Sequence, residues 1–246
     1  MPLNKTYDED AIKKAIAEAL DNFYKALIGK IDGLDIKKVM KRKNPYLYRA
    51  KAMQSASDIV ESVLAAFVSS SEETIFGNYF FEPIALAASG GNKALAEGID
   101  IMIHDNSTNT ISAIAVKSGT SVFNADSRKR QEQNFMAAQK LAQQAKARYD
   151  AYVGYGYGRK KESGRGKPKM YRELAGKKFW EELTGDSEFY IKITSFMGTI
   201  PEQYVAAYQE SYDKASNRLV REFSNSFCTK EGSIDWESLV EFNSGD

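Results

Sequence analysis

The sequence predicts an α/β fold, a core of about 150 residues carrying helical segments at both ends. Three features of the 246-residue chain point that way. Its first seventy residues repeat apolar side chains at helical spacing. Residues 98–117 switch to strict alternation. After residue 188 the helical period returns. Residues 8–29 place Ile12, Ala15, Ile16, Ala19, Leu20, Phe23 and Leu27 on one stripe of a helix. A Gly- and Lys-rich stretch, GKIDGLDIKKVMKRKN, leads to Pro45, from which a second helix is expected to run to about Phe67. Ser70 and Glu73 form an S-x-x-E pattern that predicts the capping box of a further helix ending before Ser89-Gly90-Gly91.

GIDIMIH (98–104), DNSTN and TISAIAVK (110–117) then read as strand, turn, strand. A helix capped by Asp126 or Ser127 and running to about Tyr149 follows, then a short strand at 151–157. Residues 170–174 predict a further strand, 177–183 a helix, and 188–197 and 202–227 long helices.

Composition narrows the function. One cysteine, Cys228, excludes an internal disulfide, and with a single histidine, His104, the chain lacks the ligand sets of structural zinc sites. No apolar run approaches the roughly 20 residues of a membrane span, and the first residues lack signal-peptide order, so a cytoplasmic protein without a membrane partner is expected. No G-x4-G-K-[ST] occurs, and the Gly154-x-Gly-x-Gly158 run is followed by a basic loop rather than a helix, so no nucleotide cofactor is expected. The net charge of +1 conceals a local excess: residues 159–178 hold nine Lys/Arg against two Glu. A mobile cationic loop of this kind suits contact with phosphates, through Arg159, Lys160, Lys161, Arg165 and Lys167. The helix after the second strand opens with Arg128, Lys129, Arg130 and Gln131, residue types that read base edges in the major groove.

The hairpin brings the chemistry together. A turn centred between Thr108 and Asn109 sets Asp100 directly across from Lys117, with Cβ atoms about 5 Å apart on one face. A desolvated ion pair gains little stability, so a site explains the pairing better. A carboxylate that anchors Mg²⁺ beside a lysine that steadies an attacking water is what phosphodiester cleavage requires. Mg²⁺ usually takes one or two carboxylates, and the preceding helix offers Glu82 and Glu73.

Gly-x4-Glu (77–82), then G-I-D on one strand and A-V-K-S-G on the next, resembles the type II restriction endonucleases of the PD-(D/E)xK superfamily. The likeness extends through the Gly154–Gly158 strand, the basic loop, A-G-K-K-F-W (175–180) and G-S-I-D-W-E-S-L (232–239). The resemblance implies a restriction-endonuclease-like core, a central mixed sheet flanked by helices, with N- and C-terminal helical extensions. The likeness covers roughly residues 72–240, and with the helical segments at both ends it divides the chain into an expected dimerising arm (1–68), a catalytic core (69–200) and a C-terminal extension (201–246). It further implies a Mg²⁺-dependent homodimer cutting double-stranded DNA at a short specific site. Asp100 and Lys117 match the metal-binding Asp and catalytic Lys, and Glu82 the helix glutamate. Metal contacts then fall to Asp100, the Val116 carbonyl, Glu82 and Glu73. Ala115 departs from the pattern, standing where the superfamily has an acid two residues before the lysine. Two alternatives follow: a structure-selective repair nuclease of the same fold, and a catalytically silent DNA-binding protein on a nuclease scaffold.

Overall fold

A computed structural model describes residue 3, residues 6–160 and residues 170–245. The chain divides into two compact units, Met1–Asn22 with Phe76–Pro201, and Phe23–Ile75 with Glu202–Asp246.

The element order is α1 (Glu9–Asp32), α2 (Ile36–Met40), α3 (Pro45–Ala50), α4 (Ala56–Tyr79), α5 (Phe81–Ser89), β1 (Asn92–Lys93), β2 (Ile101–Asp105), β3 (Thr110–Lys117), α6 (Ala125–Gln144), β4 (Arg148–Tyr155), β5 (Arg172–Ala175), α7 (Lys177–Thr184), α8 (Phe189–Met197), α9 (Val205–Phe227) and α10 (Trp236–Ser244). A 3-10 turn, Pro201–Tyr204, precedes α9.

The first unit contains one five-stranded sheet in the order β1-β2-β3-β4-β5. β1, β2 and β3 pair antiparallel, while β3-β4 and β4-β5 pair parallel. β3 is buried on both faces, as its near-continuous apolar run requires. Ile114 and Val116 join Tyr152, Phe179, Trp180 and residues of α1 and α5 on one face. Ala113 and Ala115 join Val153, Tyr155 and the α6 residues Phe135 and Ala138 on the other. The glycines of GYGYG are notches for aromatic rings rather than a nucleotide loop. A Cβ on Gly154 would lie 2.0 Å from the Phe179 ring, and one on Gly156 would lie 2.2 Å from that of Phe81.

Several expected boundaries move. The Pro45 helix ends at Ala50, and a turn containing Ala52 at φ +55° separates it from α4. Ser70 caps nothing, because α4 runs unbroken through it. The cap is Ser55, whose Oγ accepts from the Asp58 amide at 3.1 Å. Inside α4, Thr74 Oγ1 bonds back to the Ser70 carbonyl at 3.0 Å, and Ser71 and Ile75 are buried, so packing overrides the local capping pattern. Asn124, not Asp126 or Ser127, caps α6, in a reciprocal capping box with Ser127. That helix stops at Gln144, and β4 takes the residues from Arg148 that were expected to continue it. β1, α2 and α10 have no counterpart among the elements expected from the sequence.

In the first unit Tyr7 donates to Asp186 at 2.7 Å, and Lys192 on α8 lies 2.6 Å from the same oxygen. The hydrogen bonds from Lys192 and Tyr7 lower the Asp186 pKa to about 2. A carboxylate depressed in the folded state stabilises above its unfolded pKa of roughly 3.9, and loses that contribution as pH falls through 2. Asp186→Asn is therefore expected to reduce unfolding free energy at neutral pH by about 1 kcal/mol after allowance for solvent screening. Denaturant melts of both proteins should converge between pH 4 and pH 2; a difference independent of pH would count against the network.

Candidate active site

The site is built where β2 meets β3. Asp105 and Thr110 close the hairpin around a four-residue loop, 106–109. The Asp105 carboxylate binds the Ser107 amide at 2.8 Å and both the Ser107 and Thr108 hydroxyls, and Asn109 adopts φ +49°. These contacts hold the Asp105 pKa at about 2 and centre the turn between Ser107 and Thr108, one residue before the expected centre between Thr108 and Asn109. The register is consequently shifted, and Lys117 does not face Asp100 directly. Ile101 is the partner of Ile114.

A bulge completes the geometry. The Asp100 amide donates to the Ile114 carbonyl at 2.9 Å, so Asp100 and Ile101 both oppose Ile114. Beyond this point Val116 finds a side chain instead of a strand: its amide donates to Asp100 Oδ2 at 2.6 Å. The N–H and C=O of one strand residue point the same way, so the Val116 carbonyl also projects toward the Asp100 side. Lys117 closes the group, its Nζ 3.6 Å from Asp100 Oδ2. The long lysine spans the diagonal that the register shift creates. The Asp100 and Lys117 side chains retain 20% and 29% of their exposure. Gross attraction at that distance is about 5 kcal/mol at an effective dielectric near 20, largely offset by desolvation.

Asp100 is clamped from behind. Its carbonyl accepts from the Ala94 amide at 3.2 Å, and Ile99 is buried against the α6 face of the sheet. Gly98 turns at φ +68°, with Asn134 where a Cβ would stand. Gln131 Nε2 donates to the Gly98 carbonyl at 2.8 Å, and Gln131 is buried. Expected to read bases, Gln131 instead positions the turn that delivers Asp100.

The other expected residues have partners of their own or stand exposed. Glu82 pairs with Lys93 of β1 at 3.3 Å. Glu73 is exposed on α4 and belongs to the second unit. Arg130 pairs with Glu97, while Lys129 and Arg159 are exposed. Arg128 and Lys160 come together on the buried carboxylate of Glu173, with Arg128 at 3.2 Å. The Tyr155 hydroxyl donates to the same oxygen at 2.7 Å. Tyr155 is the β4 partner of Lys117, so this cationic pair is tied to the strand beside the site. The sequence reading missed Glu173; its only signal was an acid inside an otherwise basic stretch. Lys161, Arg165 and Lys167 lie outside the described residues.

Among the described residues no three His, Cys, Asp or Glu side chains converge where they could hold a metal ion. Asp100 and the Val116 carbonyl offer two hard oxygen donors, a set that fits Mg²⁺ retaining several of its waters. Ala115, which replaces the superfamily acid, is fully buried beside Phe135 and Ala138.

A mixed sheet covered by helices, with an acid and an amine meeting across adjacent antiparallel strands, defines a restriction-endonuclease-like α/β core. The family model of type II restriction endonuclease EcoO109I matches residues 10–203. The chain belongs to that family of nucleases, whose substrate is DNA. No curated protein matches it.

Ala115→Glu would push a carboxylate into the apolar cluster against α6. We expect it to lower stability by about 2–4 kcal/mol without creating a metal ligand. Thermal melts with and without Mg²⁺ check both points; a variant as stable as the parent and further stabilised by Mg²⁺ would show that the position opens onto the site.

Proposed function

We propose that this restriction endonuclease hydrolyses double-stranded DNA at a short specific site, using Mg²⁺ with Asp100 and Lys117 as its cleavage residues. The observation that carries the proposal is the 3.6 Å approach of Lys117 Nζ to an Asp100 carboxylate already fixed by the Val116 amide. When bound, Mg²⁺ supplies a Lewis acid that neutralises phosphate charge and lowers the pKa of a water. The chain's own groups do the placing. Asp100, whose Oδ2 accepts from the Val116 amide, and the Val116 carbonyl would hold the ion. Lys117 donates to the attacking water or to a non-bridging phosphate oxygen, favouring charge that grows in the transition state. In-line attack leaves 5′-phosphate and 3′-hydroxyl ends. Arg128 and Lys160, held together on Glu173, would receive the DNA backbone beside the site. The same reading makes the protein a cytoplasmic homodimer, each subunit cutting one strand, with the helical segments 1–68 and 201–246 supporting the assembly.

A second reading is favoured by Ala115 and by the lack of a third convergent acid among the described residues: DNA binding without hydrolysis. Plasmid digestion with Mg²⁺ or Mn²⁺, followed by sequencing of the ends, separates the two. Defined ends support site-specific cleavage, and intact plasmid under both ions supports the silent scaffold. Asp100→Ala and Lys117→Ala should each reduce cleavage by about 10²–10³-fold or more while duplex binding persists. Full cleavage by both variants would remove these residues from the mechanism.

A further inference from the structure

Between Asp35 and Lys51 the second unit carries seven Lys/Arg and one acid. Asp35 caps α2 and lies 3.8 Å from Lys38. Lys37, Lys41, Arg42, Arg49 and Lys51 are exposed and Lys43 is half-buried. Among the described residues no carboxylate forms an ion pair with any of these six. In the first unit Arg128, Arg130, Lys160, Arg172, Lys177 and Lys192 each meet an acid, and its exposed cations that are unpaired among the described residues, Lys129, Lys140, Lys146, Arg148 and Arg159, are not gathered on one short segment.

The cations stand on a fixed frame. Ile36, Met40 and Tyr48 anchor the two short helices in the core of this unit. Asn44 caps α3, with Pro45 at its first position. From α10, Asn243 Nδ2 donates to the carbonyls of Met40 and Lys43 at 2.9 and 2.8 Å. Lys41 lies over the Phe242 ring and Arg49 over that of Trp236. Six like charges held this way repel one another, and folding alone gives no reason to assemble them. A polyanion does. Ile36 and Met40 of α2 are buried, and the large apolar side chains this segment exposes are Tyr46 and Leu47, adjacent on α3 and too few for a lipid-facing stripe, so a membrane surface is the poorer partner.

We infer that the α2–α3 segment is a second DNA-backbone contact surface, taking duplex phosphates through residues separate from those of the cleavage centre. The inference rests on the reading that the protein acts on duplex DNA. Its test uses the full chain without divalent ions and a variant carrying Lys37→Gln, Arg42→Gln, Lys43→Gln and Lys51→Gln. Binding to a fluorescent duplex is measured across a salt series, with thermal melting and sedimentation as controls.

Each phosphate neutralised contributes about 0.9 to the slope of log affinity against log salt. With four cations removed, the variant should lose roughly 3.6 from that slope and bind at least about tenfold more weakly near 0.1 M salt, with unchanged melting. Arginines at the three lysine positions should restore the slope. An unaltered slope overturns the inference while the duplex-binding reading stands, and so does an unaltered slope with a reduced sedimenting mass, which assigns the patch to a protein interface. Absence of duplex binding by the parent protein overturns both.

Discussion

The 2.6 Å hydrogen bond from the Val116 amide to Asp100 Oδ2 is the contact on which the site depends. It exists because the chain bulges at Asp100, where two residues face the single Ile114. The bulge ends regular pairing just before Val116, whose buried amide needs another acceptor. A carboxylate fills that need and is fixed within reach of Lys117. One backbone irregularity thus satisfies a strand and aims a functional group. Gln131, Gly98 and the buried Ile99 maintain the irregularity from the α6 side.

The same economy governs the rest of the sheet. β3 is buried on both faces, leaving its carboxy-terminal end as the place where a charged residue can emerge. Lys117 emerges there with about a third of its side chain exposed. Glycines at 154 and 156 admit Phe179 and Phe81, which lets α5 and α7 lie close to β4. Trp180 Nε1 donates to the Gly156 carbonyl at 2.8 Å, so the ring that fills the core also satisfies a buried polar group. Ala115 belongs to this packing economy as well: a longer side chain there would displace the α6 contact.

Charge is distributed on a different principle in each unit. Around the sheet, several basic side chains are set against acids, with Glu173 gathering Arg128 and Lys160 at one point. In the helical unit, six of the seven α2–α3 cations form no ion pair among the described residues, Lys38 alone meeting Asp35. A net charge of +1 is the sum of these patterns and describes neither.

Element types were legible because hydrophobic period alone sets them: 3.6 residues for α1 and α9, two for β2 and β3. The Asp100–Lys117 meeting was legible too, since a lysine is long enough to tolerate an error in pairing. Register was not, because the Asp105 side chain set the centre of the turn. Nor was the fate of Glu82, Glu73 and Gln131, whose types suit a site but whose partners come from distant segments. The sequence by itself determined the class of fold, the acid and the amine. Tertiary structure decided which neighbours complete them, because burial and hydrogen-bond satisfaction are settled only when remote segments compete for the same polar groups.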